Sequence, residues 1–174
     1  VPSIVFGLFG LGLFVVFLQF GSCILSGALT LGFLILPTII GASEEALKAV
    51  PATFREASLA LGVSKWQTIY RIVLPNALPG ILTGSILGIG RAAGETAPIM
   101  FTAAAFFTAK LPSSIFDEVM ALPFHVYVLA TAGTHIEATR PIQFGTVLVL
   151  VGLVLAVDLV AIVIRGTIRK RKRW

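Results

Sequence analysis

From Val1 to Phe20 the chain carries no charged side chain, and from Phe144 to Ile164 it carries one, Asp158. A helix that crosses a bilayer needs about 20 consecutive, mainly apolar residues, and both runs meet that length. A soluble globule has no place for them: of 174 residues 57 % are hydrophobic and only 12 % charged, about half the charge of an average soluble domain. The 17 Gly and 9 Pro sit among Leu, Ile, Val and Phe, not in the polar tracts that keep a chain disordered. The expected fold class is all-α, a polytopic membrane helix bundle. The lone Cys23 excludes an intrachain disulfide and a zinc ribbon, and no basic stretch precedes the first apolar run as a secretory signal requires.

The charges divide the chain. Spans are expected at about 1–20, 23–42, 77–107 and 144–164, within one transmembrane domain. Gly21-Ser22 makes a tight hairpin link, and Pro98 is the expected kink or end of the third span. A polar loop, 43–75, holds Glu44, Glu45, Lys48, Arg55, Glu56, Lys65 and Arg71; a mixed segment, 108–143, holds Lys110, Asp117, Glu118, His125, His135, Glu137 and Arg140. The tail, 165–174, carries Arg165, Arg169, Lys170, Arg171, Lys172 and Arg173. Basic residues gather on the cytoplasmic side of membrane proteins. Loop and tail are therefore expected inside, with a cytoplasmic C-terminus, and 108–143 outside. The net charge of +5 belongs to this membrane anchor and not to nucleic-acid binding.

The loop is punctuated as two short helices around a corner. Thr53 and Glu56 stand in a T-x-x-E capping relation, predicting a helix over 54–61. Gly62 suits the left-handed position that closes a helix, Ser64 and Gln67 open a second one, and Pro75 is expected to stop it. Two turns are marginal in isolation, so contacts must hold the first helix. Its small Ala57, Ser58 and Ala60 suit insertion into a groove on a partner; a connector folded onto the membrane surface is the alternative. Glu56-Ala57-Ser58, Gly62, Ile72, Leu74 and Pro75 together resemble the EAA pattern, E-A-A-x3-G-x9-I-x-L-P, of importer permeases of the ATP-binding-cassette (ABC) class, with Ser58 in place of the second Ala. The resemblance implies a type I ABC importer permease fold. It also implies that Glu56, Ala57, Ser58 and Gly62 couple the chain to an ATPase subunit.

Arg91 lies eleven residues past Gly80, about 17 Å into a core about 30 Å thick. An ionised group at that depth is costly unless paired or wet, and marks a functional site by default. Glu95, four residues on, is expected on the same helix face as its partner. The small residues Gly80, Gly84, Gly88, Ala92 and Thr96 run beside them at every fourth position and allow another helix to approach closely. Two readings follow: a structural salt bridge, or a guanidinium offered to a crossing anion with Glu95 orienting it. A carboxylate accepts a hydrogen bond from hydrogen phosphate and repels sulfate, which has no proton to donate.

Arg91 to Pro98 with Met100 to Ala103, supported by Val1 to Gly7 and Leu122 to Ala130, resembles the membrane signature of phosphate ABC importer permeases of the PstA type. That resemblance implies a multi-pass protein of a bacterial or archaeal cytoplasmic (inner) membrane, with a substrate path through Arg91, Glu95 and Thr96. The implied partners are a PstC-type permease subunit, a pair of ATPase subunits and a periplasmic phosphate-binding protein. Permeases of this family usually have six spans, so two more are expected ahead of Val1. No Walker A pattern occurs; the chain is expected to hold no cofactor and to be no enzyme, with ATP and Mg bound by the partner ATPase. His125 and His135 lack metal-site spacing, so no metal is expected. A short amphipathic helix is expected around Ser114, Phe116, Asp117, Met120 and Phe124. Asp158 reads either as a proton relay or as a partner of Arg165 or a neighbouring helix, and Gly7, Gly10 and Gly12 as packing positions. The rivals are a permease for sulfate, molybdate or an organic solute, and, from another class, an ion-coupled carrier or intramembrane enzyme using Arg91, Glu95 and Asp158.

Overall fold

The computed structural model describes residues 2–108, 110–132 and 136–170, the side chains of 136–139, 164, 165 and 167–170 excepted. Among the described residues seven helices follow one another: α1, Ser3–Phe17; α2, Ile24–Lys48; α3, Ala52–Ala60; α4, Lys65–Ala93; α5, Ala97–Thr102; α6, Leu122–Thr131; and α7, Ile136–Lys170. Between α5 and α6 the described chain is irregular, with a single parallel bridge pairing Ala104 and Val119.

Among the described residues three helices, Ile24–Lys48, Lys65–Ala93 and the Arg140–Val163 part of α7, are long and apolar enough to cross a membrane. The first expected span is shorter than the sequence suggested. Its second half, Leu11–Phe17, is wound as a π-helix, and the chain then leaves the helix through Gln19 and Gly21, both at positive φ. The second helix is longer than 23–42. It runs unbroken through Pro37 to Lys48, and Lys48 pairs with Glu44 one turn back at 2.7 Å, so the charged start of the expected loop is the last turn of α2.

Pro75 does not stop the helix that Ser64 opens. Residues Ile69–Val73 form a π turn, in which Leu74 N–H donates to the Ile69 carbonyl. This widening ahead of the proline lets the helix accommodate a ring that an uninterrupted α-helix would reject. Asn76 Nδ2 donates to the Ile72 carbonyl at 2.8 Å beside the irregularity. Nor is Pro98 the break in the third span. The helix ends at Ala93, five residues earlier, and Pro98 lies in the first turn of α5, where its missing N–H is tolerated. The fourth span begins earlier than 144, since α7 runs through Pro141 from Ile136.

The chain forms two compact units. One comprises residues up to Ile35 and Gly90–Ala156; the other comprises Leu36–Ile89 and the chain from Val157 onward. In the first unit α1 packs on α5. Gly7 lies against Pro98 and Phe101, where an added Cβ would come within 2.9 Å of the Phe101 ring, and Gly10 lies against Thr30, whereas Gly12 faces open space. Three N–H groups at the start of α2, from Cys23, Ile24 and Leu25, donate to the carbonyls of Thr102, Asp117 and Ile115. These donors of a helix start are thereby satisfied. The helix expected near Ser114 is absent. Asp117 accepts hydrogen bonds at its Oδ2 from Ser113 N (2.8 Å), Ser114 N (2.9 Å) and Ser113 Oγ (3.0 Å), folding 113–117 into a turn. The backbone N–H bonds from Ser113 and then Ser114, with the Ser113 hydroxyl third, hold its exposed carboxyl below the usual carboxylate range.

In the second unit two positions of the small-residue stripe admit another helix as its spacing suggested, while Thr96, its last position, lies beyond the end of α4. Gly80 and Gly84 let Ala46 and Ala42 of α2 approach so closely that a Cβ on Gly80 would lie 2.5 Å from that of Ala46, and the Gly84–Ala42 approach is tighter still. Below this contact Val50, Val73 and Ala77 are buried together, with Ala46, Leu47 and Ile81 packed around them. Asp158 borders a cavity of about 210 Å³ with Thr83, Ile86, Leu87 and Ile162. The side chain of Arg165, its expected partner, lies outside the described residues, as do His135 and 171–174.

Candidate functional sites

The first site forms where α4 ends. Gly94 N–H donates to the Arg91 carbonyl and Glu95 N–H to that of Ala92, both at 3.2 Å, so the last turn tightens and the chain leaves the helix. Glu95 therefore stands in the link to α5, one turn beyond Arg91 but not on its helix. The two side chains still meet: Arg91 Nε donates to Glu95 Oε1 at 3.3 Å. The pair is lopsided in exposure. The Glu95 side chain is 14 % exposed and that of Arg91 54 %. Glu95 engages the guanidinium through Nε alone, and among the described residues Arg91 makes no other ion pair or side-chain hydrogen bond. Its two Nη groups are the planar donor fork that binds carboxylate or phosphate oxygens in parallel. Thr96, half-buried, follows as the N-cap of α5 with no side-chain cap bond.

The second site is the corner around α3. This helix starts at Ala52, two residues before the expected Phe54, and Thr53 makes no cap bond because it lies inside the helix; Pro51, extended at φ −53° and ψ 138°, sets the start. The end matches the motif. Gly62 takes φ +79°, its N–H donates to the Leu59 carbonyl and Val63 N–H donates to that of Ser58, which is the double closure of a Schellman motif. Gln67 N–H then donates to Ser64 Oγ at 3.3 Å, opening α4.

Glu56, Ala57 and Ser58 are contiguous in sequence but divided in space. Glu56 and Ala57 are exposed, whereas Ser58 is 3 % exposed, with its hydroxyl 2.9 Å from that of Thr68. Ser58 thus faces the protein and not the surface on which a partner would rest. Three contributors were not singled out from sequence. Arg55 Nη2 donates to the Leu47 carbonyl at 2.7 Å, a contact across eight residues that no local spacing announces. Leu61 and Trp66 are 83 % and 74 % exposed, apolar groups flanking the corner that a search for charge and caps passes over. No cluster of His, Cys, Asp and Glu suited to a metal occurs among the described residues.

With these two sites in view, the relatives are informative. The family described as "Binding-protein-dependent transport system inner membrane component" matches residues 1–174. The "Phosphate transport system permease protein PstA 1" of Mycobacterium tuberculosis is 40 % identical over 174 residues, covering 99 % of this chain and 55 % of the relative. The "Probable ABC transporter permease protein YqgI" of Bacillus subtilis is 39 % identical over 92 % of this chain and 58 % of its own length. The "Probable phosphate transport system permease protein PstA" of Methanocaldococcus jannaschii is 35 % identical over 90 % of this chain and 54 % of its own length. The chain thus spans about half the length of the curated relatives it matches. No solved structure matches it. Three span-length apolar helices and a family match along the whole chain agree: this is a multi-pass membrane protein that belongs to the family of binding-protein-dependent transport system inner membrane components.

Proposed function

We propose that the chain is the membrane-spanning subunit of an ATP-driven phosphate importer, with Arg91, Glu95 and Thr96 on the substrate path. The observation that carries this reading is the half-exposed Arg91 guanidinium, held by Glu95 through Nε alone. A tetrahedral oxyanion matches two parallel N–H donors. Glu95 Oε1 fixes the plane of the guanidinium while its carboxylate stands ready to accept a hydrogen bond from the O–H of hydrogen phosphate, which sulfate has no proton to make. Relatives named for phosphate transport support the substrate.

The energy enters elsewhere. Glu56 and Ala57, exposed on α3, with Leu61 and Trp66 beside them, form a surface suited to a separate ATPase subunit, which binds ATP and Mg. ATP binding draws the ATPase pair together, moves α3 and opens the path outward; hydrolysis resets it. A PstC-type subunit completes the pore, and a periplasmic binding protein delivers phosphate. In this reading α3 and the C-terminus are cytoplasmic, in agreement with ten of the thirteen basic residues lying in the 43–75 loop and the tail.

The test is uptake of radiolabelled phosphate into vesicles holding the full complex, with binding protein outside and ATP supplied to the ATPase. Uptake that requires ATP and disappears in Arg91→Gln supports the proposal. Uptake that persists without the ATPase, or sulfate moving in place of phosphate, overturns it.

A further inference from the structure

The corner contains a mechanical feature that neither the EAA pattern nor the relatives' names describe. Helix α3 is tied at two points to two different membrane helices. Arg55 Nη2 bonds the Leu47 carbonyl in the last turn of α2 at 2.7 Å, and Ser58 Oγ meets Thr68 Oγ1 in the first turn of α4 at 2.9 Å. Thr68 Oγ1 in turn donates to the Ser64 carbonyl at 3.1 Å, so in the Ser58–Thr68 contact Ser58 is the donor. Beneath α3 lies a groove of about 380 Å³ bordered by Leu47, Arg55, Leu59, Lys65, Ile69 and Val73, and the buried Nε of Arg55 has no partner there among the described residues. By contrast, α2 and α4 are zipped to each other by Gly80 on Ala46 and Gly84 on Ala42.

We infer that Arg55 and the Ser58–Thr68 pair are positioning residues that deliver a displacement of α3 to α2 and α4 together, as one body. A short helix standing over a groove and held by two hydrogen bonds transmits a push only while both hold; with them cut it tilts into the groove and the push is lost locally. Ser58 is also where this chain departs from the Ala of the EAA pattern, and an Ala there would have no hydroxyl to form the second tether.

This inference rests on the proposed docking of α3 on an ATPase subunit, and the experiment separates the two. The full complex in vesicles is assayed for phosphate transported per ATP hydrolysed. An Ala57→Cys variant, cross-linked to the ATPase subunit, reports docking. Arg55→Gln, and Ser58→Ala combined with Thr68→Val, are each expected to keep the cross-link while lowering the transport-to-hydrolysis ratio roughly threefold to tenfold, the factor that about one net hydrogen bond represents. Leu59→Phe, which fills the groove, is expected to restore part of that ratio in the Arg55→Gln background, a rescue that a merely destabilised fold would not show. Absence of the cross-link in the parent complex overturns the docking reading and this inference with it. A cross-link with an unchanged ratio in both tether variants overturns the inference alone. Should Arg55→Gln fail to assemble, the Ser58/Thr68 variant decides on the same ratio.

Discussion

Two helix interruptions, one at Gly62 and one at Gly94, are finished in opposite ways. At the first, the outgoing carbonyls of α3 are closed by Gly62 and Val63 N–H groups and the incoming N–H of Gln67 by Ser64. At the second, two tight backbone bonds end α4, Thr96 enters α5 with no side-chain cap, and a charged pair spans the gap with most of one guanidinium unengaged. A corner whose helix ends are closed is suited to hold a shape. A corner with spare donors is suited to take a ligand. The difference is that between a part suited to transmit force and a part suited to meet substrate.

The comparison is broken most severely at Arg91. Arg91→Gln removes the charge and leaves Glu95 without its partner. Hydrogen bonds to charged groups contribute about 1.5–3 kcal/mol each, so phosphate uptake is expected to fall at least roughly tenfold and often beyond detection. ATPase activity and the Ala57→Cys cross-link should persist. Equal loss of uptake and of assembly would show Arg91 to be structural, and the two interruptions would then be alike.

At the Gly62 corner, Gly62→Val places a β-branched side chain at φ +79°, where non-glycine residues are strained by about 1–3 kcal/mol. The expected result is the mirror image of the previous one: substrate binding is retained, while transport per ATP and cross-linking to the ATPase both fall. Gly62→Asn, which tolerates the left-handed region, should lose much less. If Val and Asn behave alike, the positive φ is not what sets this corner.

Much of this contrast was legible in the sequence, for identifiable reasons. Caps and closures are local, so Gly62 and the Ser64–Gln67 bond follow from residue types a few positions apart; the spacing of four anticipated the Arg91–Glu95 contact, although Glu95 makes it from the link beyond α4 and not from a shared helix face. What escaped depends on longer reach or on competing local preferences. Pro75 reads as a stop because an α-helix rejects it, yet a π turn just upstream absorbs it. Gly94 outweighs Pro98 as the breaker, because a proline in the first turn of a new helix is no obstacle. The inward turn of Ser58 and the reach of Arg55 to Leu47 depend on where α2, α3 and α4 meet, which no periodicity within one segment encodes. The first span ends early because Gln19 and Gly21 take positive φ, a turn that the uniform apolarity of 1–20 conceals.

Glu95→Gln probes the finer part of the comparison. Gln keeps an acceptor for Arg91 Nε but loses the negative charge and gains a donor. Phosphate uptake is expected to fall by roughly threefold to tenfold, the scale of one charge-assisted hydrogen bond weakened to a neutral one, and sulfate, at tenfold excess, should begin to compete. Undiminished discrimination in a competition flux assay would assign selectivity elsewhere and reduce Glu95 to fixing the plane of Arg91.

The smallest expected effect lies at Asp117, in the turn whose Ile115 and Asp117 carbonyls take up the first N–H groups of α2. Its carboxyl is held below the usual range by bonds from Ser113 and Ser114, so the folded form binds its proton more weakly than the unfolded chain. The sign follows: the contribution is complete above the ordinary carboxylate pKa of about 3.9, and is lost as pH falls through the lower folded value. Because its partners, Ser113 and Ser114, lie in the same turn, the effect is confined to that turn. Asp117→Asn is expected to leave transport unchanged at neutral pH and to abolish an acid-dependent rise in amide exchange at Ile24 and Leu25. Exchange that rises equally with acid in both proteins would detach the turn from the start of α2, leaving the backbone carbonyls alone to hold it.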